Sequence, residues 1–229
     1  MARNKFSVVI PAFNEEKNLA RVLRIVTQSP KVNQVIVVND GSTDKTNDIV
    51  KKFDRKITLI SYAKNKGMGY ALKRGLEKAS SDWVAFLDAD LVGLKLRHLK
   101  LLQATALKYP QSHIIGVVQN ASQAAGAKLA MLPGGIRIFK KSLLTEKFIA
   151  QWPKYNYAID LMITDYFKAQ GFPIFFLQLP GLNHSKKIQK WGWRKGIEKE
   201  IKMYYHFIKT IPKLKSGVKL VRNNLVING

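Results

Sequence analysis

Short β-rich runs alternate with segments of helical period from residue 6 to residue 87, and few folds accommodate that alternation. Residues 6–10, 35–38, 57–62 and 83–87 read as strands. Between them, 15–28 carries Leu19, Val22, Leu23 and Val26 on one helical face, and 42–53 and 69–79 read as further helices. Parallel strands need a crossover, usually a helix, so this order predicts βαβ units and an α/β fold with a mostly parallel central sheet flanked by helices. Pro11 stops the first strand, Gly41 permits a tight turn after the second, and Ser42 or Thr43 can cap the helix that follows.

Beyond residue 90 the pattern loosens. A helix is expected at 96–108, a strand at 114–118, and then an Ala/Gln/Gly-rich stretch at 119–130 that is either a mobile loop or a weak helix. Pro133-Gly134-Gly135 forms a turn before a strand at 136–139 and helices at 141–149 and 159–170. A last strand at 174–179 ends at Pro180-Gly181. From Trp191 the chain is basic, aromatic and helical in period to Ile211, where Pro212 interrupts it. The length of 229 residues and 46% hydrophobic content allow one sizeable core with an extension. The expected division is a domain at 1–190, in halves 1–118 and 119–190, and a basic helical extension at 191–229.

The absence of cysteine excludes a disulfide framework, a thiolate metal site and a cysteine nucleophile, and suits a reducing cytoplasm. No secretory pattern opens the chain, and no window approaches the roughly 18 apolar residues of a membrane span. A cytoplasmic location, in solution or peripheral on the inner face of the membrane, is therefore expected. Lys and Arg number 39 against 15 Asp and Glu, a formal charge of +24. Such an excess points to a polyanionic partner: nucleic acid, an anionic membrane surface or a phosphorylated substrate. A solvated helix face gives the same count.

The run Phe86-Leu87-Asp88-Ala89-Asp90-Leu91 ends a strand in two carboxylates spaced i, i+2. Alternate strand side chains share a face, so Asp88 and Asp90 can lean together into the crevice where open α/β sheets bind ligands. Oxygen ligands of this kind suit Mg²⁺ or Mn²⁺, and a divalent ion there neutralises a diphosphate. Two earlier strand ends converge on the same crevice, Pro11-Ala12-Phe13-Asn14-Glu15-Glu16 and Asn39-Asp40-Gly41-Ser42. Taken singly, the first reads as a helix start and the second as a turn; together their amides and carboxylates can bind a nucleobase and ribose. Asn65-Lys66-Gly67-Met68-Gly69 opens the third helix, a phosphate cradle with Lys66 as a point charge or a loop that needs positive φ. A dinucleotide fingerprint is excluded, because no Gly-x-Gly-x-x-Gly follows the first strand.

These three runs, in this order and spacing, resemble the nucleotide-binding half of family 2 glycosyltransferases of the GT-A (Rossmann-like) fold over residues 6–118. The resemblance implies a nucleotide-diphosphate sugar donor, commonly UDP- or GDP-linked, and a metal-dependent transfer. It places Pro11, Phe13, Glu15 and Asp40 along the base and ribose, Lys66 and Gly67 beside the nucleotide, and Asp88 with Ala89 near the ribose and metal. Asp90 would bind the metal directly.

The second half is similar, more loosely, to the subgroup containing glucosyl-3-phosphoglycerate synthases and related bacterial lipid-pathway transferases. There a histidine after the last core strand completes the metal site, which would make His184 the third ligand; a surface histidine is the other reading. Asp160 matches an acid that faces the sugar. It would bind donor hydroxyls or take the acceptor's proton, and an acid at a helix start also complements the helix dipole. Arg137, after the glycine turn, would clamp the anion of a phosphorylated acceptor or of the donor diphosphate. The acceptor implied is a phosphorylated small molecule or a polyprenyl-phosphate lipid. Inversion and retention both stay open, since the first half resembles inverting enzymes and the His184 region retaining ones. Trp193, Ile197, Ile201, Tyr204, Tyr205, Ile208 and Ile211 recur at helical spacing among lysines, which suits a helix lying on an anionic bilayer or one packing on the domain. A nucleic-acid-binding protein and a silent scaffold of the same fold are the rivals, and no nucleic-acid recognition motif supports the first.

Overall fold

The computed structural model describes residues 4–53, 57–118, 134–185, 205, 209–210 and 226–227. The stretch at 119–133 lies outside the described residues, as does the extension from 191 apart from those few positions. The first strands are β1 (Phe6–Ala12), β2 (Val32–Asp40), β3 (Ile57–Tyr62), β4 (Trp83–Leu87) and the two-residue β5 (Leu91–Val92). They are followed by β6 (His113–Val117), β7 (Gly134–Lys140), β8 (Ile174–Gln178), the two-residue β9 (Asn183–His184) and β10 (Val226–Ile227). Helices α1 (Leu19–Thr27), α2 (Thr46–Lys51), α3 (Met68–Lys78), α4 (Leu96–Lys108), α5 (Glu146–Ile149) and α6 (Ile159–Ala169) connect them.

Eight strands form one sheet in the order β10-β8-β6-β7-β4-β1-β2-β3, and β5 pairs with β9 in a second, two-stranded sheet. Every neighbour in the large sheet is parallel except β7, which runs antiparallel to both β4 and β6. Strands covered on both faces read as continuous apolar runs, and β4 and β6 are buried at all positions. Their side chains alternate between two cores. Val8, Ile10, Ala85 and Leu87 pack with α1, α2 and α4 on one face, whereas Val9, Val84 and Phe86 pack with α3, α6 and Trp152 on the other.

Several boundaries differ from the sequence pattern. Helix α1 starts at Leu19, not 15, because Asn14 takes a positive φ of 55° and residues 15–18 form turns. Ser42 and Thr43 do not cap α2: the Ser42 hydroxyl accepts the Asn14 N–H, the Thr43 N–H donates to Asn14 Oδ1, and Asp44 Oδ1 accepts the Thr46 N–H. The segment 141–149 is a 3-10 turn, Lys141–Leu143, then α5, because Thr145 interrupts and its hydroxyl accepts the Phe148 N–H. No helix among the described residues is long and apolar enough to cross a membrane.

Candidate active site

The strand order reverses between β1 and β4, and that is the switch point where such sheets open a crevice at their carboxyl ends. Past the end of β4 the Asp88 N–H donates to the Gly135 carbonyl at 3.0 Å, Ala89 is buried, and the chain enters β5. There Leu91 pairs with His184 and Val92 with Asn183. That two-residue ladder carries the imidazole to the acids: His184 Nδ1 lies 3.0 Å from Asp90 Oδ1 and Nε2 3.7 Å from Asp88 Oδ2. One ligand atom from each of the three lies within 4.8 Å of the others. Gly135 leaves room for the approach, since a Cβ on it would sit 2.5 Å from Leu91 Cδ2 and 3.2 Å from His184 Cε1.

Burial, reinforced by the charges of Asp160 and Asp90 and opposed by His184 and Arg137, pushes Asp88 up to about 8. Burial works against a charged His184, yet the hydrogen bond it donates to Asp90 and the charges of Asp90, Asp88 and Asp160 outweigh it and raise the imidazole to about 9. These charges favour the protonated imidazole, which then acts as a countercharge to the acids. Two carboxylates and an imidazole on converging chain segments fit a divalent cation of the Mn²⁺ or Mg²⁺ class, which would displace those protons.

Behind the cluster lies Asp160, in the first turn of α6. Its Oδ1 accepts from Arg137 Nε at 2.8 Å, and Arg137 Nη1 donates to Thr164 Oγ1 at 2.9 Å. The side chains of Arg137 and Asp160 are 2% and 13% exposed. Burial raises the Asp160 carboxyl despite Arg137's charge and hydrogen bond. Arg137 is thus directed to Asp160, not outward as an anion clamp, because its place opposite Phe86 in the middle of the sheet buries it.

At the ends of β1 and β2, Pro11 lies opposite Val38 in the parallel register, and Pro11 and Phe13 are half-buried. Glu15 is buried and its Oε2 accepts from Asn18 Nδ2 at 2.9 Å. Asp40, at the end of β2, is buried; its two oxygens accept the backbone N–H groups of Lys66 and Gly67, each at 2.8 Å. Amides expected to face a phosphate are therefore engaged within the chain. Asp40 takes two of them, Asn156 Oδ1 takes the Met68 N–H, and the Lys66 ammonium rests 4.9 and 4.7 Å from the Tyr62 and Tyr70 rings. Gly67 meets the requirement for positive φ, at 94°.

Four residues near these groups carry no motif of their own. Asn156 holds the start of α3, Tyr157 lies close enough to Asp40 for that charge, after burial, to raise its phenol, and Asn18 Nδ2 donates to Ser185 Oγ at 3.3 Å. The Asn156–Ala158 3-10 turn and the two-residue β9 are too short for periodicity to reveal.

A model of glycosyl transferase family 2 matches residues 7–157. The chain belongs to that family. Among curated family relatives, the chain is 38% identical over 90 residues to the glycosyltransferase GlyA of Streptococcus pneumoniae, covering 38% of this chain and 13% of the relative. It is 32% identical over 116 residues to 4,4'-diaponeurosporenoate glycosyltransferase of Staphylococcus haemolyticus, covering 49% of this chain and 30% of the relative. The match thus spans less than a third of either relative's length. A solved structure of glucosyl-3-phosphoglycerate synthase from Mycobacterium tuberculosis, in complex with Mn²⁺, UDP and glucosyl-3-phosphoglycerate, aligns at TM-score 0.72 and 18% identity over 94% of this chain and 81% of that one. S. aureus TarS 1–349 aligns at TM-score 0.63 and 18% identity, over 92% and 72% of the two chains. At such identity these neighbours show the fold, and this family 2 chain has the GT-A fold.

Proposed function

We propose that this chain transfers a sugar from a UDP-linked donor to a phosphorylated acceptor, with a divalent cation bound by Asp88, Asp90 and His184. The observation that carries the reading is the convergence of those three ligand atoms within 4.8 Å at the switch point of a family 2 fold. Support for the donor and the metal comes from the M. tuberculosis synthase, whose complex contains Mn²⁺ and UDP. A bound cation would supply charge neutralisation for the diphosphate leaving group.

The chain's own groups do the rest. Pro11, Phe13, Glu15 and Asp40 line the base and ribose, and the two N–H groups on Asp40 fix its carboxylate before the nucleotide arrives. Lys66 offsets charge at the rim. Arg137 holds Asp160 by Oδ1, leaving Oδ2 to accept from a donor or acceptor hydroxyl. Burial makes that carboxylate more basic than an exposed one, which suits it to take a proton. The +24 charge suits an anionic acceptor, either a phosphorylated small molecule or a polyprenyl-phosphate at an acidic membrane surface, with the protein peripheral on the cytoplasmic face.

Calorimetric titration with UDP and GDP, with millimolar Mn²⁺ and with chelator, tests the reading. UDP should bind far more tightly with metal, and Asp90→Asn should remove the difference while leaving the fold intact. Equal binding in both conditions, or full activity of Asp90→Asn, would overturn the metal assignment.

A further inference from the structure

We infer that Asn18 is a positioning residue for the metal site: its side-chain amide ties the His184-bearing strap, residues 179–185, to the turn that precedes α1. The inference rests on the metal-site reading above and adds a residue that touches neither metal nor donor.

The strap leaves β8, turns at Gly181 with φ of 79°, buries Leu182 and pairs with β5 for two residues. A further backbone anchor is the Ser185 N–H, which donates to the Asp90 carbonyl at 3.0 Å. A two-residue ladder is a weak hold, since isolated two-stranded pairs are marginal in water even when longer. Side-chain ties therefore matter more here than in the main sheet.

Asn18 supplies one. It is buried, with 6% of its surface exposed. Nδ2 donates to Glu15 Oε2 at 2.9 Å and to Ser185 Oγ at 3.3 Å, and Oδ1 accepts from the Arg21 guanidinium. A carboxamide offers two N–H donors and an acceptor on one planar group, and here the two donors reach two different chain segments. A leucine here would donate nothing, and an aspartate would set a second carboxylate against Glu15. One end of the tie is Glu15, in the run assigned to the nucleoside. The other end is the neighbour of His184, and slack there moves a ligand atom that must meet Asp88 and Asp90.

The test uses Ser185→Ala, Asn18→Ala, their combination, and Ser185→Thr, which keeps the hydroxyl. Hydrogen exchange of the 183–185 amides is measured without metal, and Mn²⁺ affinity by water-proton relaxation. Loss of one such bond should speed exchange at 183–185 and weaken Mn²⁺ roughly two- to tenfold. The double variant should be no worse than Asn18→Ala, and Ser185→Thr should match the parent. Exchange confined to the strap, with unchanged urea unfolding, separates positioning from a general loss of stability. Unchanged exchange and Mn²⁺ affinity in Ser185→Ala, or additive losses in the double variant, would overturn the inference. If Asn18→Ala fails to fold, Ser185→Ala carries the test. A parent that binds no Mn²⁺ would refute the metal reading, and the exchange measurement would then decide the tie by itself.

Discussion

Replacing Arg137 by Met removes a charge that is 1% exposed while keeping much of its length. Asp160 Oδ1 loses its 2.8 Å partner and Thr164 its 2.9 Å one, so a carboxylate with a side chain only 13% exposed loses its hydrogen-bonded countercharge and keeps only the charge of His184, close to Asp88. Breaking a buried pair from one side costs about 3–5 kcal/mol. For a domain of this size that is a fall in melting temperature of roughly 6–20 °C, at about 2–4 °C per kcal/mol. The loss should also depend on pH. Burial already raises the Asp160 carboxyl, and removing Arg137 raises it further. An acid whose folded pKa exceeds its unfolded value binds more protons when folded, so its stability contribution falls as pH rises from the unfolded value through the folded one. The deficit of Arg137→Met should therefore be larger at pH 8 than at pH 5.5 in urea unfolding. Asp160→Asn in the same background should recover most of it. A loss below about 1 kcal/mol, equal at both pH values, would refute the buried-pair account.

Mn²⁺ affinity should rise from pH 6 to pH 8.5, because protons held by Asp88, up to about 8, and His184, up to about 9, must leave first; a flat relaxation titration would contradict this. Gly135→Ala should destabilise by about 1–3 kcal/mol through contact with Leu91, and should weaken Mn²⁺ more than its stability loss explains, by displacing His184. Asp40→Asn turns one acceptor into a donor facing a backbone N–H of the 66–67 loop, and should cost about 1–3 kcal/mol and loosen UDP; unchanged unfolding would show that the loop does not depend on that carboxylate.

The strands of the first half were legible because both faces are covered, so 83–87 is an uninterrupted apolar run and 6–10 is broken only by Ser7. Asp88 and Asp90 were legible for a local reason, since two residues of one strand end share a side. His184 lies 94 residues from Asp90, and only the resemblance connected them; the two-residue strands that join them have no period to read. Arg137 looked open because a glycine turn precedes it. Its burial depends on β7 pairing with β4, a partner choice that local sequence does not encode. The engagement of the Lys66 loop was hidden for a similar reason: two of its amides bond Asp40, 26 and 27 residues earlier.

The antiparallel strand β7 has a consequence for how the molecule is assembled. It stands between β4 and β6, although both precede it in the chain. A growing polypeptide that has emerged only as far as residue 118 has two strands whose shared neighbour does not yet exist, each offering an open row of backbone donors and acceptors. The sheet closes only when residues 134–140 slide between them, and the same event delivers Gly135 and Arg137 to the acids. The site is completed later still, by Asp160 on α6 and His184 on β9, so a chain arrested before β7 presents sticky edges and no working centre.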